Sequence, residues 1–120
     1  MAKPVILLVD DERAMINMLG KMIERKGKKV LIASNGEEAI TLYKKNKPRC
    51  VFLDIKLPDI DGEEVIERIK EFDKCAKIYF MSAIDNSTHF SKQRIKELGV
   101  IDYLTKPIDV DKMMKIIDKL

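Results

Sequence analysis

Long apolar runs are missing from this chain. The longest, "VILLV", stops after five residues at Asp10, Asp11 and Glu12. That is too short for the core of a signal peptide or for a membrane span, so a soluble, cytoplasmic protein with no membrane partner is expected. Cysteine is nearly absent as well. Cys50 and Cys75 stand 25 positions apart, and neither has a second Cys or a His at ligand spacing, which excludes a disulfide framework and a thiolate metal site. Nor does charge of one sign dominate: 23 Lys and Arg face 20 Asp and Glu, for a formal net charge of +3. The lysines recur from Lys21 to Lys119 with acids between them, not as the basic stripe of a nucleic-acid binder, so no direct nucleic-acid binding is expected. Repeats, linkers and low-complexity tracts are also missing.

What remains is a chain of 120 residues, 46% hydrophobic, enough for a single domain over residues 1–120 with one contiguous core. Five short apolar runs punctuate it: "VILLV" (5–9), "KVLIA" (29–33), "CVFLD" (50–54), "KIYFMS" (77–82) and "DYL" (102–104). Segments of helical length lie between them. "ERAMINMLGKMIERKG" places Ala14, Met15, Met18, Leu19, Met22 and Ile23 on one face and stops at Gly27. "SNGEEAITLYKKN" opens with Ser34 and Glu37 at capping-box spacing. In "GEEVIERIKEF" the core positions are Val65, Ile66, Ile69 and Phe72, and in "DVDKMMKIIDKL" they are Val110, Met113, Met114 and Ile117. The stripe of "NSTHFSKQRIKELG" (Phe90, Ile95, Leu98) is ragged, which makes it the weakest helix and the expected mobile element.

Continuous apolar strands alternating with helices indicate an α/β fold, a parallel sheet covered on both faces. Right-handed crossovers in five βα units give the doubly wound order 2-1-3-4-5, with ligands bound beyond the carboxyl ends of the strands. Those ends carry Asp10, Asp11 and Glu12 after the first run, Asp54 on the third, Ser82 on the fourth and Lys106 with Pro107 after the fifth. Strands one and three are neighbours in this order, so Asp10, Asp11 and Asp54 converge. Clustered carboxylates repel unless a cation compensates, and an oxygen-only donor set suits Mg²⁺. Lys106 adds a point charge and Ser82 a hydroxyl, the clamps phosphoryl transfer uses, while a carboxylate there can act as nucleophile. Taken alone, Asp10 and Asp11 read equally well as caps of the first helix. Asp61 and Gly62 read as a turn after Pro58.

The motifs "LLVDDE", "FLDIKLPDIDG", "MSA" and "DYLTKP", in this order and near the family spacing, identify a resemblance over essentially the whole chain to the receiver domain of bacterial two-component response regulators, a flavodoxin-like fold. The resemblance implies Asp54 as phosphoacceptor, Asp11 as a direct Mg²⁺ ligand, Asp10 orienting the ion and its waters, and the backbone carbonyl of Lys56 as a further ligand. It implies that Ser82 follows the phosphoryl group, that Lys106 pairs with it across a cis bond to Pro107, and that Tyr103 is the aromatic switch. Its partners would be a sensor histidine kinase or phosphotransfer protein and a downstream target or output domain. The domain would be a monomer able to dimerise once phosphorylated, and a signalling domain more than an enzyme. Lys56 and Ile84 take the positions that flank the phosphoryl group. The interval from Ser82 to Lys106 is slightly long for the family, which implies a late fourth helix or an extended loop. His89, the sole histidine, is not needed as a phosphodonor.

Three other readings compete. An aspartate phosphohydrolase on this sheet would carry an Asp-x-Asp-x-Thr-like nucleophile after strand one, which "DDERA" does not supply. A flavodoxin-like cofactor binder needs a phosphate cradle there, where three acids stand instead. A degenerate receiver serving as a constitutive interaction module would have lost one of Asp11, Asp54, Ser82 or Lys106.

Overall fold

The computed structural model describes residues 3–83 and 92–120. Five strands, β1 (Val5–Val9), β2 (Lys29–Ala33), β3 (Cys50–Asp54), β4 (Ile78–Ala83) and β5 (Asp102–Lys106), alternate with five helices, α1 (Arg13–Glu24), α2 (Gly36–Asn46), α3 (Gly62–Phe72), α4 (Lys92–Leu98) and α5 (Val110–Asp118). All strands are parallel in the order β2-β1-β3-β4-β5, as the apolar pattern requires. Ile84, His89 and Phe90, which the sequence reading singled out, lie outside the described residues.

The two faces of the sheet bury two clusters. Successive strand residues point to opposite faces, so Leu7, Val9, Val51 and Leu53 meet α2 and α3 while Ile6, Leu8 and Phe52 meet α1 and α5. β1, and β3 as far as Leu53, therefore need apolar residues at every position, and each fully buried one contributes roughly 1.5–3 kcal/mol.

Four local expectations change. On α1 the buried residues are Ile16, Leu19, Gly20 and Ile23, while Ala14 is exposed and Met18 is 54% exposed. Ile16 replaces them because the face turned to β1 and β2 runs 16-19-20-23, one helical stripe over from the one first drawn. At α2 the cap is Asn35, whose side chain accepts from Glu38 N; Ser34 donates its N–H to the Glu38 carboxylate, so the box sits one residue later. Glu37 is thereby released to pair with Arg68 of α3 at 2.7 Å. Phe72, at the last turn of α3, is 42% exposed and packs edge-on against Tyr43 with Lys44 over its ring. On α5 only Met113 and Ile117 are fully buried, with Val110 and Met114 half-buried against them.

The chain order reverses at β1, with β2 on one side and β3 on the other. A crevice opens there at the carboxyl ends. The residues that line it follow directly from where β1, β3 and β5 stop.

Candidate functional site

β1 ends at Val9 and delivers Asp10, whose N–H bonds to Ala33 O and whose side chain is fully buried. One carboxylate oxygen, Oδ1, accepts from Glu12 N at 3.0 Å. The cap position of α1 is Glu12, which makes no side-chain cap bond, and Asp11 is left exposed at the crevice. β3 delivers Asp54, 7% exposed, whose Oδ1 accepts from Lys56 N at 3.2 Å. One carboxylate oxygen each from Asp10, Asp11 and Asp54 lie within 4.8 Å of one another.

Lys106, the last residue of β5, reaches across β4 and β3 into this cluster. Its Nζ stands 2.8 Å from Asp10 Oδ2, 3.2 Å from Asp54 Oδ2 and 3.5 Å from Glu12 Oε1, with its side chain 13% exposed. The contact with Asp10 is the shortest of the three, yet it lacks hydrogen-bond alignment, so Asp10 Oδ2 is a fully buried oxygen without a directed donor. Such an atom is costly unless something pairs with it.

The charges explain the titration of the site. Burial, and then the facing charge of Asp10, push the Asp54 carboxyl above the usual carboxylate range, while Lys106 and the Lys56 N–H pull it back without cancelling the rise. Burial works against the Lys106 ammonium, but contact with Asp10 and the charge of Asp54 outweigh it and hold this group above the usual lysine range. One cation is shared among several acids, which leaves the cluster short of positive charge. A hard divalent cation bound by oxygen fits this donor set and the undirected Oδ2 of Asp10.

The family model described as the response regulator receiver domain matches residues 6–118. The chain belongs to this family. Among curated relatives, this receiver is 32% identical over 114 residues to sporulation initiation phosphotransferase F of Bacillus subtilis, covering 95% of this chain and 90% of the relative. It is 39% identical over 102 residues to the alkaline phosphatase synthesis transcriptional regulatory protein PhoP of the same organism, covering 85% of this chain but 42% of that protein. A chain of the co-crystal of the Saccharomyces cerevisiae histidine phosphotransfer signalling protein Ypd1 with the receiver domain of its downstream response regulator Ssk1 matches with a TM-score of 0.84 at 26% identity, covering 97% of this chain and 87% of that one.

Ser82 and Tyr103, also expected at the site, lie on β4 and β5. Ser82 is half-buried on β4, opposite Thr105 in register, and Ala83 pairs with Lys106, so the hydroxyl and the ammonium leave neighbouring strands at nearly the same level. Tyr103 lies opposite Phe80 and is 41% exposed, with its carbonyl accepting from Lys112 Nζ at 3.3 Å. The bond from Lys106 to Pro107 is cis. Asp61 caps α3 by accepting from Glu64 N at 2.9 Å, and Gly62 is the first residue of that helix, where the sequence suggested a turn after Pro58. Two contributors were given no role in the sequence reading. Glu12, placed there at the strand end with Asp10 and Asp11, lies within reach of Lys106. Asp59 accepts from the backbone N–H groups of Gly36 and Glu37, and nothing in its local sequence points across the fold to α2.

Proposed function

We propose that Asp54 is the phosphoacceptor of this receiver and takes a phosphoryl group from the phosphohistidine of a sensor kinase or phosphotransfer protein. The observation that carries the reading is the Asp54 carboxylate at the rim of β3, 3.2 Å from the Lys106 ammonium and within 4.8 Å of the Asp10 and Asp11 oxygens. A carboxylate oxygen of Asp54 attacks phosphorus in line, the P–N bond breaks, and the imidazole leaves with the electron pair and takes up a proton. The product is an acyl phosphate. Little covalent work falls to the protein; it positions the groups and stabilises charge.

Asp10, Asp11, Asp54 and the Lys56 carbonyl are proposed to hold Mg²⁺, which when bound supplies positive charge to the transferring phosphoryl oxygens. Lys106 pairs with one of those oxygens and the Ser82 hydroxyl donates to another. Engagement of Ser82 then draws Tyr103 inward and reshapes the surface of α4, β5 and α5 for a downstream partner, a population shift paid by the new contacts. An open groove of about 270 Å³ lies beside Tyr103, lined by Ile95, Lys96, Val100, Ile101 and Asp102. We read residues 1–120 as one receiver domain acting in the cytoplasm; among the described residues no helix is long and apolar enough to cross a membrane.

The test is incubation with a small acyl phosphate such as acetyl phosphate and Mg²⁺, followed by intact mass. The wild type should gain one phosphoryl mass, the gain should vanish with EDTA, and Asp54→Asn should show none. An unmodified wild type, or an equal gain in the variant, overturns the reading.

A further inference from the structure

We propose that Asp59 is a positioning residue for the metal side of the site, clamping the loop that carries Lys56 against the start of α2. The inference rests on the reading of the Lys56 carbonyl as a metal ligand.

The loop 55–61 leaves β3 and returns as α3. Its ends are fixed by β3, α3 and the neighbouring strand β4. Ile55 N donates to Met81 O at 3.2 Å, Lys56 N donates to Asp54 at 3.2 Å, Asp61 caps α3, and Gly62 N returns to Ile55 O at 3.0 Å. Its middle is tied to a different unit. The two oxygens of Asp59 accept from Gly36 N at 2.8 Å and from Glu37 N at 2.9 Å, the first two N–H groups of α2. Those groups have no partner inside the helix, and the cap Asn35 serves only Glu38 N, so a carboxylate arriving from another loop meets two directed donors and the positive end of the helix. Slight burial works the other way, but these backbone donors outweigh it and hold the Asp59 carboxyl below the usual range.

Packing reinforces the clamp. A Cβ at position 36 would collide with Ile60 Cγ1 and lie 2.8 Å from Val65 Cγ2, so the loop rests directly on helix backbone and only glycine admits the contact. Asp59 and Ile60 together pin the loop from outside, three residues past Lys56. A ligand carried on a pinned loop is ordered before the ion arrives, and the ion then need not supply that ordering. Loss of a group bonded directly to a metal ligand weakens metal sites by about 10–100-fold, and Asp59, which holds the loop and not the ligand itself, should act at the low end of that range. Linkage demands the converse: if the clamp favours Mg²⁺, bound Mg²⁺ must favour the clamp.

The experiment uses Mg²⁺ as the probe on the full chain. Amide NMR titrations of wild type, Asp59→Ala and Asp59→Asn follow the Asp11 and Lys56 resonances, and amide hydrogen exchange at Gly36 and Glu37 is measured with and without Mg²⁺. The alanine variant should bind Mg²⁺ about tenfold more weakly, and the asparagine variant, which keeps one acceptor oxygen, should fall between. Exchange at Gly36 and Glu37 should slow on Mg²⁺ addition in the wild type. At saturating Mg²⁺ the alanine variant should be phosphorylated within about twofold of the wild-type rate, the signature of a binding defect and not a chemical one. Unchanged Mg²⁺ affinity in both variants, even with lowered melting temperatures, overturns the proposal and leaves Asp59 a structural cap. Exchange that ignores Mg²⁺ overturns it too. Should Asp59→Ala fail to fold, Asp59→Asn decides alone. A wild type that takes no phosphoryl mass yet shows the Mg²⁺ differences sinks the phosphoacceptor reading while supporting this one.

Discussion

The ammonium of Lys106, at the end of the last strand, lies 2.8 Å from Asp10 Oδ2, at the end of the first, and nearer to it than to the Asp54 carboxylate at 3.2 Å. The lysine therefore bridges two acids. Its first duty in the absence of a metal is to offset the charge of a wholly buried carboxylate.

Removing charge from this cluster should stabilise the metal-free protein. Two like charges about 5 Å apart repel by roughly 3 kcal/mol at an effective dielectric near 20. Lys106 cancels part of this, so Asp54→Asn should raise stability by about 1–2 kcal/mol in Mg²⁺-free buffer, measured by urea unfolding. Added Mg²⁺ should narrow the gap by stabilising the wild type more than the variant. A variant less stable than the wild type without Mg²⁺ would contradict the repulsion.

Lys106→Met removes the one cation that these acids share among the described residues. Breaking a buried ion pair from one side costs about 3–5 kcal/mol, and partial exposure and water entry should reduce that to about 2 kcal/mol here. Mg²⁺ should restore part of the loss, because a divalent ion substitutes for the missing charge. A melt as high as the wild type's in EDTA would show that the pair contributes nothing.

Alkaline pH should loosen the core on both faces of the sheet, at Tyr43 of α2 and at Cys50 of β3. Burial pushes the Cys50 thiol from 9.0 up to about 12. Burial, followed by the 2.6 Å bond to Asp73, raises the Tyr43 hydroxyl well above its usual 10.0. Both groups are held protonated in the folded state, so their contribution is complete below about pH 9 and is lost as pH rises through and beyond 10. The urea midpoint should fall between pH 9 and 11, and Tyr43→Phe should flatten part of that fall while losing about 1 kcal/mol at neutral pH.

Acid should act oppositely on the clamp. Burial is the largest single influence on the Asp59 carboxyl and raises it, but the backbone donors together outweigh it and hold the group below its usual 3.8. Its contribution is present above that value and is lost as pH falls through the lowered one. Asp59→Ala should cost about 1 kcal/mol at pH 7, and the difference from the wild type should close below pH 3. A constant difference across that range would show that the carboxylate charge is not what binds α2.

Gly36→Ala tests the packing half of the same contact. Alanine favours helix by up to about 1 kcal/mol, yet its methyl would meet Ile60 and Val65 well inside contact distance. Net destabilisation of about 1–3 kcal/mol is expected. Ile60→Ala in the same chain should recover part of it, giving a coupling energy in a double-mutant cycle.

Most of the sheet was legible because its signals are local. Five apolar runs, the helical stripes between them and the handedness of crossovers suffice to order the strands, and the strand ends then carry Asp10, Asp54, Ser82 and Lys106 to one edge. Misjudgements arose where two periodic readings of one segment were both reasonable. Ile16 against Ala14 and Met18 on α1, or Asn35 against Ser34 at the α2 cap, differ by one or two positions along the chain, and only the neighbour actually met decides between them.

The sequence by itself determined the parallel α/β architecture and the chemical kind of residue at each strand end, since both follow from periodicity and order along the chain. Only the tertiary structure decided that Asp10 is wholly buried with one oxygen lacking a directed donor, that Lys106 divides itself between Asp10 and Asp54, and that Asp59 binds a helix that precedes it by more than twenty residues. These are distances between segments remote in sequence, set by how the βα units pack against one another, and no local pattern encodes them.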